Sequence, residues 1–117
     1  MTSAVVLAGR FWQYVDEGKW HEARTLFADG FRADWPQTEE EVLSADRYIE
    51  VNKELLAGAK CILLEATGFD DWASTRVLIV KGERSLWAVS FWTAVEGKLV
   101  EAIEYFPLPK EPKYETH

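Results

Sequence analysis

The second half of the chain constrains the fold more than any other feature. From Lys60 the sequence reads as four strands: Cys61–Phe69, Trp72–Val80, Ser85–Val95 and Lys98–Phe106. They are joined by Asp70-Asp71, by a turn around Lys81-Gly82-Glu83-Arg84, and by Glu96-Gly97. These are hairpin lengths, too short for a crossover, so the predicted sheet is antiparallel. A hairpin turn also sets register, and opposed residues share a face. Two-residue loops at Asp70-Asp71 and Glu96-Gly97, with a turn centred on Gly82-Glu83, pair Glu65 with Arg76, Arg76 with Val89, Val89 with Glu104, and Phe91 with Ala102.

The first half reads as helices that could cover such a sheet. Thr2 and Ser3 can cap a helix in which Val5, Ala8, Phe11, Trp12 and Val15 recur at spacings of three and four. Gly18 is a natural stop. A second helix is predicted from about Lys19 to Ala28, with a turn at Asp29-Gly30. Phe31 to Trp35 alternates as a short strand ended by Pro36. Asp34 should point away from Trp35 and be exposed. Gln37 to Leu43 is an acidic loop with Glu39, Glu40 and Glu41, read as a solvated charge run. Ser44 caps a third helix whose inner face is Tyr48, Ile49, Asn52, Leu55 and Leu56, and Gly58 closes it. The predicted class is therefore α+β: three N-terminal helices packed on a curved, mainly antiparallel sheet. One domain spans 1–109, followed by a loose tail over 110–117.

The register divides the strands into two largely apolar faces. One carries Glu65, Phe69, Trp72, Arg76, Trp87, Val89, Phe91, Glu104 and Phe106; the other carries Ala73, Thr75, Val77, Trp92, Ile103 and Tyr105. Three helices can cover only one of them. An uncovered apolar face is rare on a soluble monomer. The expectation is a homodimer packed through the convex sheet face, with Trp92, Ile103 and Tyr105 in the contact.

Glu65, Arg76, Val89 and Glu104 fall on one row across the four strands. Strands lie ~4.8 Å apart, so Arg76 can reach a carboxylate two strands away. An Arg between two Glu lowers the cost of burying either acid. The row reads either as an ion-pair network that only holds the sheet together or as a polar patch at the floor of an apolar pocket. In the pocket reading Glu104 is the candidate acid or base, and Arg76 tunes it or anchors an anionic group.

Composition narrows the chemistry. Lys plus Arg is 13 and Asp plus Glu is 20, a net charge of −7, which supplies no basic face for a phosphate backbone. Cys61 is the single cysteine, so no intrachain disulfide forms; it reads as a small buried apolar residue. His21 and His117 are far apart in sequence, and there is no His-x-x-x-His pair, Walker loop, Gly-x-Ser-x-Gly elbow or Gly-x-Gly-x-x-Gly turn. No metal or cofactor is expected. No apolar run approaches the ~20 residues of a membrane span, and Met1 to Arg10 lacks the basic start of a signal peptide. A cytoplasmic protein with no nucleic-acid or membrane partner is expected.

Four segments carry a family resemblance over about residues 4–109: "RFWQYVDEGKWHEARTLFADGFRADWP", "WPQTEEEVLSADRYIEVNK", "SFWTAVEGKLVEAIEYF" and "EYFPLP". They resemble the nuclear transport factor 2-like superfamily, and within it SnoaL-like proteins of an uncharacterised subgroup. The resemblance implies a cone with its pocket between the helices and the concave sheet face. It also implies a frequent homodimer through the convex face and an acid in the last strand, Glu104, pointing into the pocket.

Specific activities of the superfamily map onto this sequence only in part. Ketosteroid isomerases resembling it carry an Asp base where Trp35 stands and a Tyr where Phe11 stands, so that mechanism lacks its residues. SnoaL-type cyclases use an acidic base, an option Glu104 retains. Limonene epoxide hydrolases use an Asp-Arg-Asp cluster similar to Glu65-Arg76-Glu104, but Leu78 stands where an acid should follow Arg76. Scytalone dehydratases use a His base, and no His falls in this pocket. The expected function is binding of an apolar small molecule, with cofactor-independent lyase, isomerase or hydrolase chemistry open at Glu104. A non-catalytic interaction module of the same fold is the alternative. Trp12, Trp35, Tyr48, Glu65, Val89 and Phe106 are the expected ligand contacts. Against the ligand role, Tyr48 reads as a satisfied core residue and Asn52 as a polar group that bonds backbone.

Overall fold

The computed structural model describes residues 1–108; the expected tail lies outside the described residues. The elements in chain order are α1 (Ala4–Glu17), α2 (Trp20–Arg24), β1 (Phe27–Trp35), β2 (Glu40–Val42), α3 (Ala45–Leu56), β3 (Lys60–Phe69), β4 (Trp72–Lys81), β5 (Arg84–Val95) and β6 (Lys98–Tyr105). They form three helices on a curved six-stranded sheet of order β2-β1-β6-β5-β4-β3. No described helix is long and apolar enough to cross a membrane.

α1 buries Ala4, Leu7, Ala8, Phe11, Trp12 and Val15, the stripe its three-and-four spacing requires. Gly18 ends it in the left-handed region (φ 72°), where its N–H reaches the Tyr14 and Val15 carbonyls. Ser3 holds the N-cap position, but its side chain makes no capping bond. Ser44 does cap α3, accepting from the Arg47 N–H at 3.1 Å. α3 buries Ala45, Tyr48, Asn52 and Leu56, whereas Leu55, expected inside, is 60 % exposed.

Two expectations for the first half are corrected. α2 stops at Arg24, and Asp29-Gly30 is not a separate turn but part of β1. Its ladder is irregular there, between Phe27 and Arg32. β1 is longer than predicted and runs parallel to β6, the one parallel pairing of the sheet. The acidic loop contributes β2, a short antiparallel edge on β1. The parallel pairing does not follow from local pattern, because no hairpin joins β1 to β6, whereas β2 folds back on β1 through the turn Pro36–Glu39.

In the β3–β4–β5 meander the Asp70-Asp71 and Gly82 turns set the pairing beside them as predicted, although a register shift between Leu63 and Glu65 turns the start of β3 over. Glu65 opposes Arg76, and Arg76 opposes Val89. The last hairpin does not. Val95 opposes Lys98, but the register shifts between Thr93 and Ala94, so Phe91 opposes Ile103, Ser90 opposes Glu104 and Val89 opposes Tyr105. Val100 is the extra residue of a β-bulge, and a one-residue insertion turns every later side chain of β6 over.

The faces change accordingly. The helices cover Ala73, Thr75, Val77 and Ile79 of β4, Ala88, Ser90, Trp92 and Ala94 of β5, and Leu99, Ala102 and Glu104 of β6, all buried. Trp92, expected in a dimer contact, lies in the interior at 1 % exposure. Arg76, Glu65 and Val89, expected on the pocket floor with Glu104, lie on the opposite, uncovered face. Ile103 and Tyr105 share that face with them. Small side chains explain the choice of covered face. Ala73, Ala88, Ala94 and Ser90 let helices approach the sheet closely, whereas Trp72, Trp87 and Phe91 on the other face would hold them off.

Candidate functional site

Glu104 is the centre of the buried polar chemistry. It is 1 % exposed near the end of β6. Its cross-strand partner Ser90 shares its face and meets Oε2 at 2.6 Å. On the other side β1 runs alongside β6 with Asp34 opposite Ile103, which brings the next residue, Trp35, beside Glu104. The Trp35 indole donates to Oε1 at 3.1 Å. Tyr48, in the first turns of α3, donates its hydroxyl to the same Oε1 at 2.6 Å. Two strands and a helix, distant in sequence, thus converge on one carboxyl group.

All three partners are uncharged. Burial pushes the Glu104 carboxyl above the ordinary carboxylate range, and the hydrogen bonds from Ser90, Tyr48 and Trp35 hold the rise down. The Tyr48 hydroxyl is pushed well up, first by burial and then by Glu104 beside it. A carboxyl held this way can carry or give up a proton in an environment closed to water, which is what general acid–base chemistry requires of a side chain.

The rest of the interior is aromatic. Phe11, Trp12, Phe27, Phe31, Tyr48 and Trp92 are buried together, with neighbouring ring centroids between 4.6 and 6.5 Å apart. Trp12 and Trp92 both donate their indole N–H to the Thr75 hydroxyl, at 3.3 and 2.9 Å. Asn52 donates to the Tyr48 carbonyl at 2.8 Å, so it serves the backbone. Trp35 and Phe106 meet edge to face at 5.7 Å where the Glu104 cluster comes nearest the surface. Gln37 pins Phe106 there, its Oε1 accepting the Phe106 backbone N–H at 2.9 Å.

The expected site residues therefore separate into two groups. Trp12, Trp35, Tyr48, Phe106 and Glu104 belong to the helix-covered side. Glu65, Arg76 and Val89 do not. Arg76 bonds Glu65 at 3.2 Å on the outer face, half exposed, with its guanidinium 5.1 Å from the Trp87 ring centre. Sequence reading missed Ser90 and Thr75. Each is a lone hydroxyl at an inward position of an apolar strand, a signal present in the sequence that only the correct register could place. Two surface depressions, of about 350 and 320 Å³, lie away from Glu104: one is lined by Thr2, Asp70, Asp71 and Glu96, the other by Asp16, Gly18, Trp20 and Gly58. Among the described residues no group of His, Cys, Asp and Glu is arranged to hold a metal ion.

No protein-family model and no curated protein matches the sequence. Solved structures do match. A ketosteroid isomerase-like protein from Kribbella flavida superimposes with a TM-score of 0.84 at 23% identity, covering 94% of this chain and 82% of its own. A nuclear transport factor 2-like protein of unknown function from Burkholderia xenovorans gives 0.81 at 22%, covering 91% and 84%. A de novo designed protein with a curved β-sheet gives 0.80 at 6%, covering 92% and 88%. The designed match shows that this backbone can be reached from a sequence with almost nothing in common, so the likeness carries architecture and not activity. The order of elements, the curved sheet and these superpositions agree: the chain has the nuclear transport factor 2-like fold.

Proposed function

We propose that the protein binds an apolar small molecule at Glu104, reached between Trp35 and Phe106, and that Glu104 exchanges a proton with it. One observation carries the reading: a fully buried carboxyl held by three uncharged donors, with no cation bonded to it. Retaining such a group costs stability that an apolar side chain of similar size would not. Arg76 has no part in this site, because it lies on the other face. The SnoaL-like subgroup and the cytoplasmic location belong to the same proposal.

The test is Glu104→Gln, which keeps shape and hydrogen-bonding capacity but cannot exchange a proton. Wild-type protein screened against apolar ketones, epoxides and polyketide-like rings should bind at least one of them. If it turns one over, Glu104→Gln should cut the rate by about 10²–10⁴-fold without unfolding. A screen with no binding sinks the reading.

The aromatic packing of the interior favours a second reading, a non-catalytic module that works through its surface. Under that reading Glu104→Gln changes no association with a partner protein. In either case we propose a homodimer through the uncovered sheet face.

A further inference from the structure

The chemistry around Glu104 also limits what its ligand can be, and this inference rests on the reading just given. The buried polar residues among the described positions are Asn52, Thr75, Ser90 and Glu104, so no buried cation is available to receive an anion. The ion pairs of Arg24, Arg32, Arg47 and Arg76 all lie at the surface. An anionic ligand would sit beside a carboxyl with nothing to neutralise it. A ligand bearing N–H donors and positive charge meets the opposite situation. It finds a carboxyl without a charged partner, and aromatic rings whose faces attract cations. Tyr48 lies 4.8 Å from Phe31, and Trp35 lies 5.7 Å from Phe106, centre to centre.

The three existing bonds differ in how easily they are replaced. Tyr48 and Ser90 are fully buried, and each bonds Glu104 at 2.6 Å. Trp35 makes the longest bond, 3.1 Å, and is the most exposed of the three at 9 %. It is also the last residue of β1, next to a turn in which Glu39 adopts a left-handed backbone (φ 58°). The indole N–H thus holds the place on Oε1 that an incoming donor would take, and its rings hold the place of a flat apolar body.

We propose that this site takes an organic cation: a small amine or amidine with a flat apolar body, whose N–H replaces that of Trp35 on Glu104 while the body packs against Phe106. The test uses three molecules of one shape and different charge: benzylamine, benzyl alcohol and benzoate. Their affinities for the wild-type protein and for Trp35→Ala, which removes the competing indole, are measured by calorimetry. About 0.15 M salt screens the surface charge. A charge-assisted bond predicts benzylamine binding about tenfold tighter than benzyl alcohol, no measurable benzoate binding, and loss of the amine preference in Glu104→Gln. Binding of the alcohol at least as tight as the amine, binding of benzoate, or an amine preference that survives Glu104→Gln overturns the cation proposal and leaves the ligand site standing. No binding of any of the three to either protein overturns both. If Glu104→Gln fails to fold, the ranking of the three molecules on wild type and Trp35→Ala still decides.

Discussion

Thr75 shows how much a single inward hydroxyl can decide. It is 2 % exposed and accepts the indole N–H groups of Trp12 and Trp92, so α1 and β5 are tied to β4 through one oxygen. Thr75→Val keeps the shape and orphans both donors, each at about 1–3 kcal/mol. Chemical denaturation should show a loss of about 2–6 kcal/mol with an unchanged fold. Glu104 gives a test by pH. Its carboxyl is raised in the folded protein, so the native state favours the protonated form. The unfolded chain releases that proton near the ordinary value of 4.5. The stability Glu104 contributes is complete below that value and is lost as pH rises towards its folded pKa. Melting temperature should therefore fall as pH increases above about 4.5, and Glu104→Gln should flatten that part of the profile. Cys61 is pushed up to about 11, chiefly by burial and then by Asp16 beside it. At neutral pH a thiol reagent should label it only at the rate of opening, and rapidly in denaturant.

At the scale of elements, the bulge at Val100 decides the site. Without it Glu104 would stand opposite Val89 on the uncovered face, beside Arg76. With it Glu104 stands opposite Ser90 under the helices. The sequence pattern of β6 cannot decide between these, because Glu101 and Glu104 are three residues apart and each register puts one acid on each face. Deleting Val100 removes the extra residue alone, so the ladder should run unbroken from Val95–Lys98 to Val89–Tyr105 with Glu104 still opposite Ser90. Circular dichroism and gel filtration should then find the native fold retained, and loss of native structure would show that the bulge itself is required. The turns were legible because Asp70-Asp71, Gly82 and Glu96-Gly97 carry their own conformational requirements, with φ values of 52°, 62° and 50° at Asp70, Gly82 and Glu96. The bulge has no such marker. β1 was underestimated for a related reason. Its first residues read as the end of a helix (Phe27 and Ala28) and a turn (Asp29-Gly30) until β6 is present to pair with them.

For the whole molecule, the uncovered sheet face is the unresolved apolar surface. Phe69, Trp72, Phe91 and Tyr105 are 71, 47, 47 and 40 % exposed there, with Trp87, Val89 and Ile103 half-buried between them. Association through this face would bury a continuous apolar surface and leave the polar helices outside. Sedimentation velocity should find a species of about twice the 13.4 kDa chain mass, and Phe91→Glu with Ile103→Glu should return it to monomer. A wild-type monomer at micromolar concentration would remove the homodimer proposal. Trp92 cannot contribute, being 1 % exposed on the other side of the sheet.

Sequence alone determined the elements and their kinds, β2 and the start of β1 excepted. Apolar periodicity set the two long helices, alternation set the four hairpin strands, and turn residues set most of their register. It also placed Trp35, Tyr48 and Glu104 among the residues worth attention. Only the tertiary structure decided which face the helices cover, that β1 runs parallel to β6, and that Glu104 meets Trp35, Tyr48 and Ser90 instead of Arg76. The physical reason is range. Periodicity and turn chemistry act over a few residues, whereas a bulge, a parallel pairing and the choice of covered face are set by contacts between segments 14 to 69 residues apart.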